Sequence, residues 1–77
     1  MAQDIFTVVL LERQWMIRFH GRHSEPHPTQ KAAIAAAVNA AYKAGMVNPD
    51  GAQVRAQDTN NIFRTEWTYG IDPYPGA

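Results

Sequence analysis

The residues whose chemistry stands out first are three histidines and one carboxylate in a single short segment. His20, His23 and His27 are separated by three and four positions, and Glu25 lies between the last two. Imidazole nitrogen and carboxylate oxygen are ligands that zinc accepts, and imidazole also suits nickel. However, His20 ends a predicted strand, the other two histidines lie in a proline-containing loop, and no supporting second set of hydrogen-bonding residues is visible. We therefore predict no metal site and no cofactor.

The remaining polar residues lack the spacing that catalysis needs. The seven carboxylates are scattered along the chain, and no two of them form an evident acid–base pair. Ser24 has histidines nearby but no glycine-flanked nucleophile turn, and no glycine run resembles a phosphate-binding loop. The absence of cysteine also excludes a thiolate nucleophile, a thiolate zinc site and a disulfide scaffold. We expect a protein that is not an enzyme.

A third set of residues could bind rather than react. Strand alternation points a set of arginine, glutamine and histidine side chains away from the predicted core, and Arg22 just beyond a strand end can join them. The set is Arg18, His20, Arg22, Gln53, Arg55, Gln57 and Arg64. Arginine and glutamine suit phosphates and base edges. The set is the candidate face for nucleic acid or another partner.

Two strands and a helix account for the first half of the chain. Residues 5–11 and 14–20 are rich in β-branched and aromatic residues, and the short link Glu12-Arg13 predicts a hairpin. Residues 23–28 contain two prolines, so they predict an extended piece that adds at most a marginal edge strand. Thr29 is the predicted N-cap of an alanine-rich helix over residues 30–44, with Gly45 as its C′ residue and Lys43 in the last turn.

A second hairpin follows the helix. Residues 48–51 predict a turn, residues 52–57 a strand, residues 58–61 another turn, and residues 62–69 the last strand. Strict alternation in the last strand puts Phe63, Thr65, Trp67 and Tyr69 on one face and Arg64, Glu66 and Thr68 on the other.

These elements predict an α+β fold of order ββαββ. We expect an antiparallel sheet of about four strands with the helix packed on one face, in a single domain over residues 1–70 followed by an extended tail over residues 71–77. Apolar positions that face the helix define the predicted core: Phe6, Val8, Leu10, Trp15, Ile17, Phe19, Ile34, Val38, Ala41, Val54, Phe63 and Trp67, with Ala37, Ala52 and Ala56 also facing inward.

Composition limits the setting of the protein. Seven basic and seven acidic residues give a net charge of zero, which argues against coating nucleic acid by bulk charge. The apolar runs are too short to cross a bilayer, and the N-terminus does not resemble a signal peptide, so we expect no membrane association. The lack of cysteine suits a reducing compartment, and we expect a cytoplasmic protein.

The chain also resembles a known bacterial family, the domain-of-unknown-function 2188 proteins. The matching segments are Phe6-Thr7-Val8-Val9, residues 14–18 with Gly21 and Ser24, the helix start over residues 28–37, and residues 64–70 followed by Asp72-Pro73-Tyr74-Pro75. The first hairpin lacks the glycines usual there, and the helix carries more alanine than its relatives. The resemblance implies a fold and a bacterial origin, and it implies no activity.

We therefore expect a small binding or interaction module, with self-association or a protein partner as the first hypothesis. One surface for a homodimer is the helix side opposite Ile34, with Ala32, Ala36, Asn39, Ala40 and Lys43; another is the sheet face with Ile5, Val9 and Met16. The alternative is a nucleic-acid-binding domain that uses the exposed sheet face.

Overall fold

One helix and five strands make up the computed structural model, which describes residues 2–73. The strands are β1 (Asp4–Leu11), β2 (Gln14–Phe19), β3 (Arg22–His23), β4 (Ala52–Gln57) and β5 (Phe63–Thr68), and the helix is α1 (Gln30–Val47). α1 packs against β1, β4 and β2 on one side of the sheet. The predicted α+β class and ββαββ order are confirmed, with β3 as the marginal edge strand.

The sheet has the strand order β3-β2-β1-β4-β5. β1 and β4 pair in parallel at its centre, and the other neighbouring strands pair antiparallel. Our expectation of an antiparallel sheet holds within the two hairpins but not between them. Parallel neighbours require a crossover connection, and α1 supplies it by returning the chain to the end of the sheet where β1 begins.

Two tight turns build the first three strands. Glu12 and Arg13 join β1 to β2 with φ angles of 49° and 67°, and His20 and Gly21 join β2 to β3 with φ angles of 52° and 77°. Two central residues with positive φ define the turn whose twist matches that of a hairpin. The predicted link at Glu12-Arg13 is confirmed, although it lacks the usual asparagine and glycine.

The helix begins where the sequence predicts and ends later. The Thr29 hydroxyl accepts a hydrogen bond from the Ala32 N–H at 3.0 Å. α1 then continues through Gly45, and the N–H of its C-cap Asn48 donates to the Ala44 carbonyl at 2.8 Å. The prediction of Gly45 as the C′ residue and of Lys43 in the last turn is wrong. The left-handed glycine lies further on, at Gly51, which has φ 82° in the turn before β4.

Gly45 serves packing rather than helix termination. It completes a buried row with Ala33, Ala37 and Ala41, spaced four residues apart along α1. A Cβ atom on Gly45 would overlap the ring of Tyr69, which packs against the helix there. The missing side chain therefore makes room for an aromatic ring from the end of β5.

The small residues of α1 are distributed differently from our expectation. Ala37, Val38 and Ala41 are buried as predicted, whereas Ile34 is only half-buried. Ala36 and Ala40, which we placed on the opposite side, also pack against the core. The buried surface of α1 is therefore wider than the predicted stripe, because the helix packs on β2 as well as on the central strands β1 and β4.

The core forms largely from the predicted residues. Those that are buried include Phe6, Val8, Ile17, Val38, Ala41, Val54 and Trp67, and Trp15, Phe19 and Ile34 pack against them half-buried. Leu10 is half-buried. Phe63 is the exception, since 46% of its surface is exposed and its assignment to the core is wrong.

The chain turns back after β5. The N–H groups of Ile71 and Asp72 donate to the Thr68 carbonyl, and the Trp67 indole N–H donates to the Pro73 carbonyl at 3.0 Å. The first part of the predicted extended tail is therefore a turn held against β5. Residues 74–77, the rest of that tail, lie outside the described residues.

The substitution Gly45→Ala tests the packing role of this glycine, because the sign of the change in unfolding free energy depends on it. Helix propensity alone would stabilise the protein by about 1 kcal/mol, whereas overpacking against Tyr69 costs about 1–3 kcal/mol. We expect net destabilisation in urea unfolding. In a Tyr69→Ala background, which removes the ring, the same substitution should become stabilising, and stabilisation in the wild-type background would contradict the packing role.

The uncovered sheet face as candidate functional site

The face of the sheet that α1 leaves uncovered carries one row of polar residues across all five strands. Thr7 of β1 lies between Arg18 of β2 and Arg55 of β4. His23 pairs with Arg18 at one edge, and Thr65 pairs with Arg55 at the other. Directly paired residues project from the same face of a sheet, so we call these five residues the arginine row.

A second row, apolar except for Gln57, runs beside it. Val9 pairs with Met16 of β2, and the parallel register that pairs Val8 with Ala56 brings Gln57 next to Val9 on β4. Phe63 pairs with Gln57 and ends this row on β5. Val9 is only 5% exposed although it faces away from the helix, because its neighbours in the row cover it.

A β-bulge in β5 decides which of its side chains reach this face. Val54 pairs with Trp67, but the next residue of β4, Arg55, pairs with Thr65. Glu66 is therefore an extra residue without a cross-strand partner, and the alternation of β5 shifts at that point. Phe63 consequently lies on the uncovered face, and Arg64 shares the helix side with its partner Ala56. Strict alternation predicted the reverse for both residues.

Arg64 is instead associated with the turn before β5. Its Nε lies 4.0 Å from Oδ2 of Asp58, and Oδ1 of Asp58 accepts hydrogen bonds from the N–H groups of Asn60 and Ile62. The Ile62 N–H is the main reason that the pKa of Asp58 lies below its ordinary value; partial desolvation opposes the shift, and Asn60 and Arg64 add to it.

His20 and Arg22 also lie away from the predicted face. Arg22 pairs with Phe19, which puts it on the helix side. The positive φ of His20 turns its ring edge-on against Phe19, at 4.0 Å between centroids, and its Nε2 lies 3.8 Å from Oδ1 of Asp4. Of the seven predicted residues, Arg18, Gln53, Arg55 and Gln57 share the uncovered face. His23 also lies on the uncovered face, because it pairs directly with Arg18.

The charged residues at the paired positions of the uncovered face are basic. No aspartate or glutamate occupies a cross-strand paired position on this face in the described part of the chain. Arg55 Nε donates to Gln53 Oε1 at 2.9 Å. Within residues 2–73 neither Arg18 nor Arg55 has a carboxylate within ion-pair distance. The paired positions of the uncovered face are therefore cationic, and the exposed bulge residue Glu66 is the acidic residue beside them on β5.

The histidines do not form a cluster. Among residues 2–73 no group of three histidine, cysteine or acidic side chains is arranged to hold a metal ion. The backbone of His27 pairs with Trp15 near the start of β2. His20 lies in the turn after the end of β2. Ser24 has a structural role, since its hydroxyl accepts from the Ile17 N–H and donates to the Glu25 carbonyl.

The comparisons with known proteins agree with the predicted resemblance. The model of a family described as "Uncharacterized protein conserved in bacteria (DUF2188)" matches residues 6–69, and the chain belongs to this family. The match extends from β1 to just beyond β5, so it includes both rows and the bulge. No curated protein and no solved structure is significantly similar to the chain. The described part of the chain contains no helix long and apolar enough to cross a membrane.

The bulge can be tested by replacing each of two phenylalanines, Phe63 and Phe6, with threonine and comparing the losses of stability. Phe63→Thr replaces one residue that favours strands with another and should cost about 1 kcal/mol or less, because 46% of the Phe63 surface is exposed. The matched variant Phe6→Thr removes a buried ring of β1 and should cost about 3–5 kcal/mol. Urea unfolding measures both free energies, and equal losses would place Phe63 in the core and exclude the bulged register.

Proposed function

We propose that the protein is a non-catalytic binding module whose uncovered sheet face binds single-stranded nucleic acid. The observation that carries the proposal is the position of exposed Phe63 beside a row with two arginines that have no carboxylate partner among residues 2–73. Arginine forms paired hydrogen bonds with phosphate. An exposed aromatic ring stacks on an unpaired base, with a gain of about 1–3 kcal/mol per base.

The spacing of the face suits a single strand. Arg18 and Arg55 lie on the two neighbours of β1, so their backbones are about 10 Å apart at a strand separation of roughly 4.8 Å. Both side chains can therefore contact one backbone that crosses the sheet. Phe63 favours single-stranded over double-stranded ligand, because bases inside a duplex are already stacked on each other.

The same charges argue against self-association through this face. Two copies related by a two-fold axis would bring their arginine rows together, and the paired positions on the face supply no carboxylate to neutralise them. Like charges in an interface cost affinity. The sheet face with Ile5, Val9 and Met16 is therefore better suited to an anionic ligand than to a homodimer contact.

A titration with single-stranded oligonucleotide at several salt concentrations tests the proposal. We expect amide shifts on β2, β4 and β5 and a slope of log affinity against log salt of about −1.4, from roughly −0.7 for each of two phosphate contacts. Arg55→Gln should lower affinity about tenfold and halve the slope. Phe63→Thr should lower affinity by a similar factor and leave the slope unchanged.

Arg64→Gln is the matched control for Arg55→Gln. It removes the same charge from the helix side of β5, so affinity and salt slope should stay near the wild-type values. Equal losses in the two variants would assign binding to net charge instead of this face. The absence of shifts at low salt would refute nucleic-acid binding.

A second candidate function is self-association through the far end of α1. Met46, Val47 and Ile71 are 59%, 85% and 80% exposed, and they flank Tyr69 on two sides. Exposed apolar residues gathered in one place favour a protein contact. The predicted alternative on the helix has less support, because Ala36 and Ala40 face the core while Lys31 and Lys43 are exposed.

Light scattering at micromolar and sub-millimolar concentrations tests this second candidate. We expect a mass that rises towards that of a dimer with concentration, and Val47→Lys should restore the monomer because it places a charge in the contact. Ala35→Lys, at an exposed helix position away from this end, is the control and should not change the mass. A wild-type monomer at both concentrations would contradict self-association.

A further inference from the structure

A small apolar cavity opens on the helix side of the sheet, at the edge formed by β2 and β3. Its volume is about 290 Å³, and its walls include Phe6, Ile17 and Phe19 from the sheet and Ala40 from α1. It lies mainly on the opposite side of the sheet from the uncovered face, and His23 is the residue that it shares with the arginine row.

The packing around α1 explains why this cavity exists. The rings of Phe6 and Phe19 stack at 4.0 Å between centroids and only 7° between planes, and this stacked pair is the aromatic wall of the cavity. The residue of α1 that faces this wall is Ala40, whose methyl group is too short to cover it. A larger aliphatic residue at this helix position would fill the space.

A cation borders this apolar space. Arg22 lines the cavity and pairs with Phe19 in the sheet, which puts both on the helix side. In the part of the chain that the structure describes, Arg22 has no ion pair. Asp4 belongs to the same side of the sheet, and its carboxylate faces His20. The two other polar residues at the cavity are His23, which pairs with Arg18, and Ser24, whose hydroxyl bonds to backbone groups.

We infer that the cavity is a binding site for a small monocarboxylic acid with an aromatic or short aliphatic body. The body lies against Phe6, Phe19 and Ala40, and the carboxylate pairs with Arg22. Arginine and carboxylate form two parallel, charge-assisted hydrogen bonds. Phenylacetate, a single aromatic ring that carries one carboxylate, is the simplest ligand that matches these contacts.

A pair of probes of equal shape tests this site on the full chain. Phenylacetate carries the charge that Arg22 would recognise, and phenylacetamide has the same shape without it. We expect amide shifts at Phe19, Arg22 and Ala40 with both probes, and an affinity for the acid about tenfold higher than for the amide. Absence of shifts at these residues with phenylacetate would overturn the proposal.

Two variants separate the apolar contact from the charge. Arg22→Gln should make the two probes bind equally, and Ala40→Leu should abolish binding of both by filling the cavity, in a helix position where leucine is well tolerated. Arg13→Gln, in the β1–β2 turn, is the matched control and should keep the tenfold preference. Persistence of that preference in Arg22→Gln would refute the site, even if Ala40→Leu does not fold.

Failure of this inference is distinguishable from failure of the proposed function. The carboxylate probe reports on residues of the helix side, whereas the oligonucleotide reports on β2, β4 and β5 from the other side. Arg55→Gln should leave phenylacetate binding unchanged, and loss of phenylacetate binding in that variant would contradict a separate site.

Discussion

The close approach of one helix to the centre of the sheet is the constraint on which the rest of this structure depends. Ala33, Ala37, Ala41 and Gly45 form a single row along α1, and they face the parallel pair β1 and β4. Residues four apart form a continuous ridge on a helix, and a ridge of small side chains lets the backbone of α1 lie near the sheet. Large rings are thereby displaced to the flanks, where Phe6 stacks with Phe19 and Trp67 packs edge-on with Tyr69.

This arrangement gives the two sides of the sheet different roles. The helix side holds the core, and an incompletely filled region lies beside Ala40 at the Phe6–Phe19 wall. On the other side no helix of the described chain covers the strands, so their polar side chains remain accessible. The edge strand β5 is protected at one end, because the Thr68 N–H donates to Asp72 and the chain turns back over it. Such local covering limits unwanted pairing between sheet edges.

The distribution of acidic residues explains how a neutral chain keeps two arginines without a carboxylate partner among the described residues. The Asp58 carboxylate holds the β4–β5 turn through backbone N–H groups, and Glu12 lies in the β1–β2 turn. Asp4 faces His20 at the end of the sheet. The carboxylates thus lie mainly in turns and at strand ends, where short polar side chains stabilise tight backbone conformations. The middle of the uncovered face is left with Arg18 and Arg55.

Local sequence patterns by themselves determined the elements of this protein. Period-two alternation identified β1, β2 and β4 with their inward residues, the Thr29 cap and the alanine run identified α1, and the family resemblance agreed with both. Tertiary structure alone decided the features that depend on two segments at once. The parallel β1–β4 pair follows from the crossover, and the use of Gly45 inside α1 follows from its contact with the Tyr69 ring. Glu66 as the bulge follows from how β5 fits on β4, and it moves Phe63 and Arg64 to opposite faces. A one-residue shift reverses every later side chain, and no property of the sequence within β5 reports its partner's register.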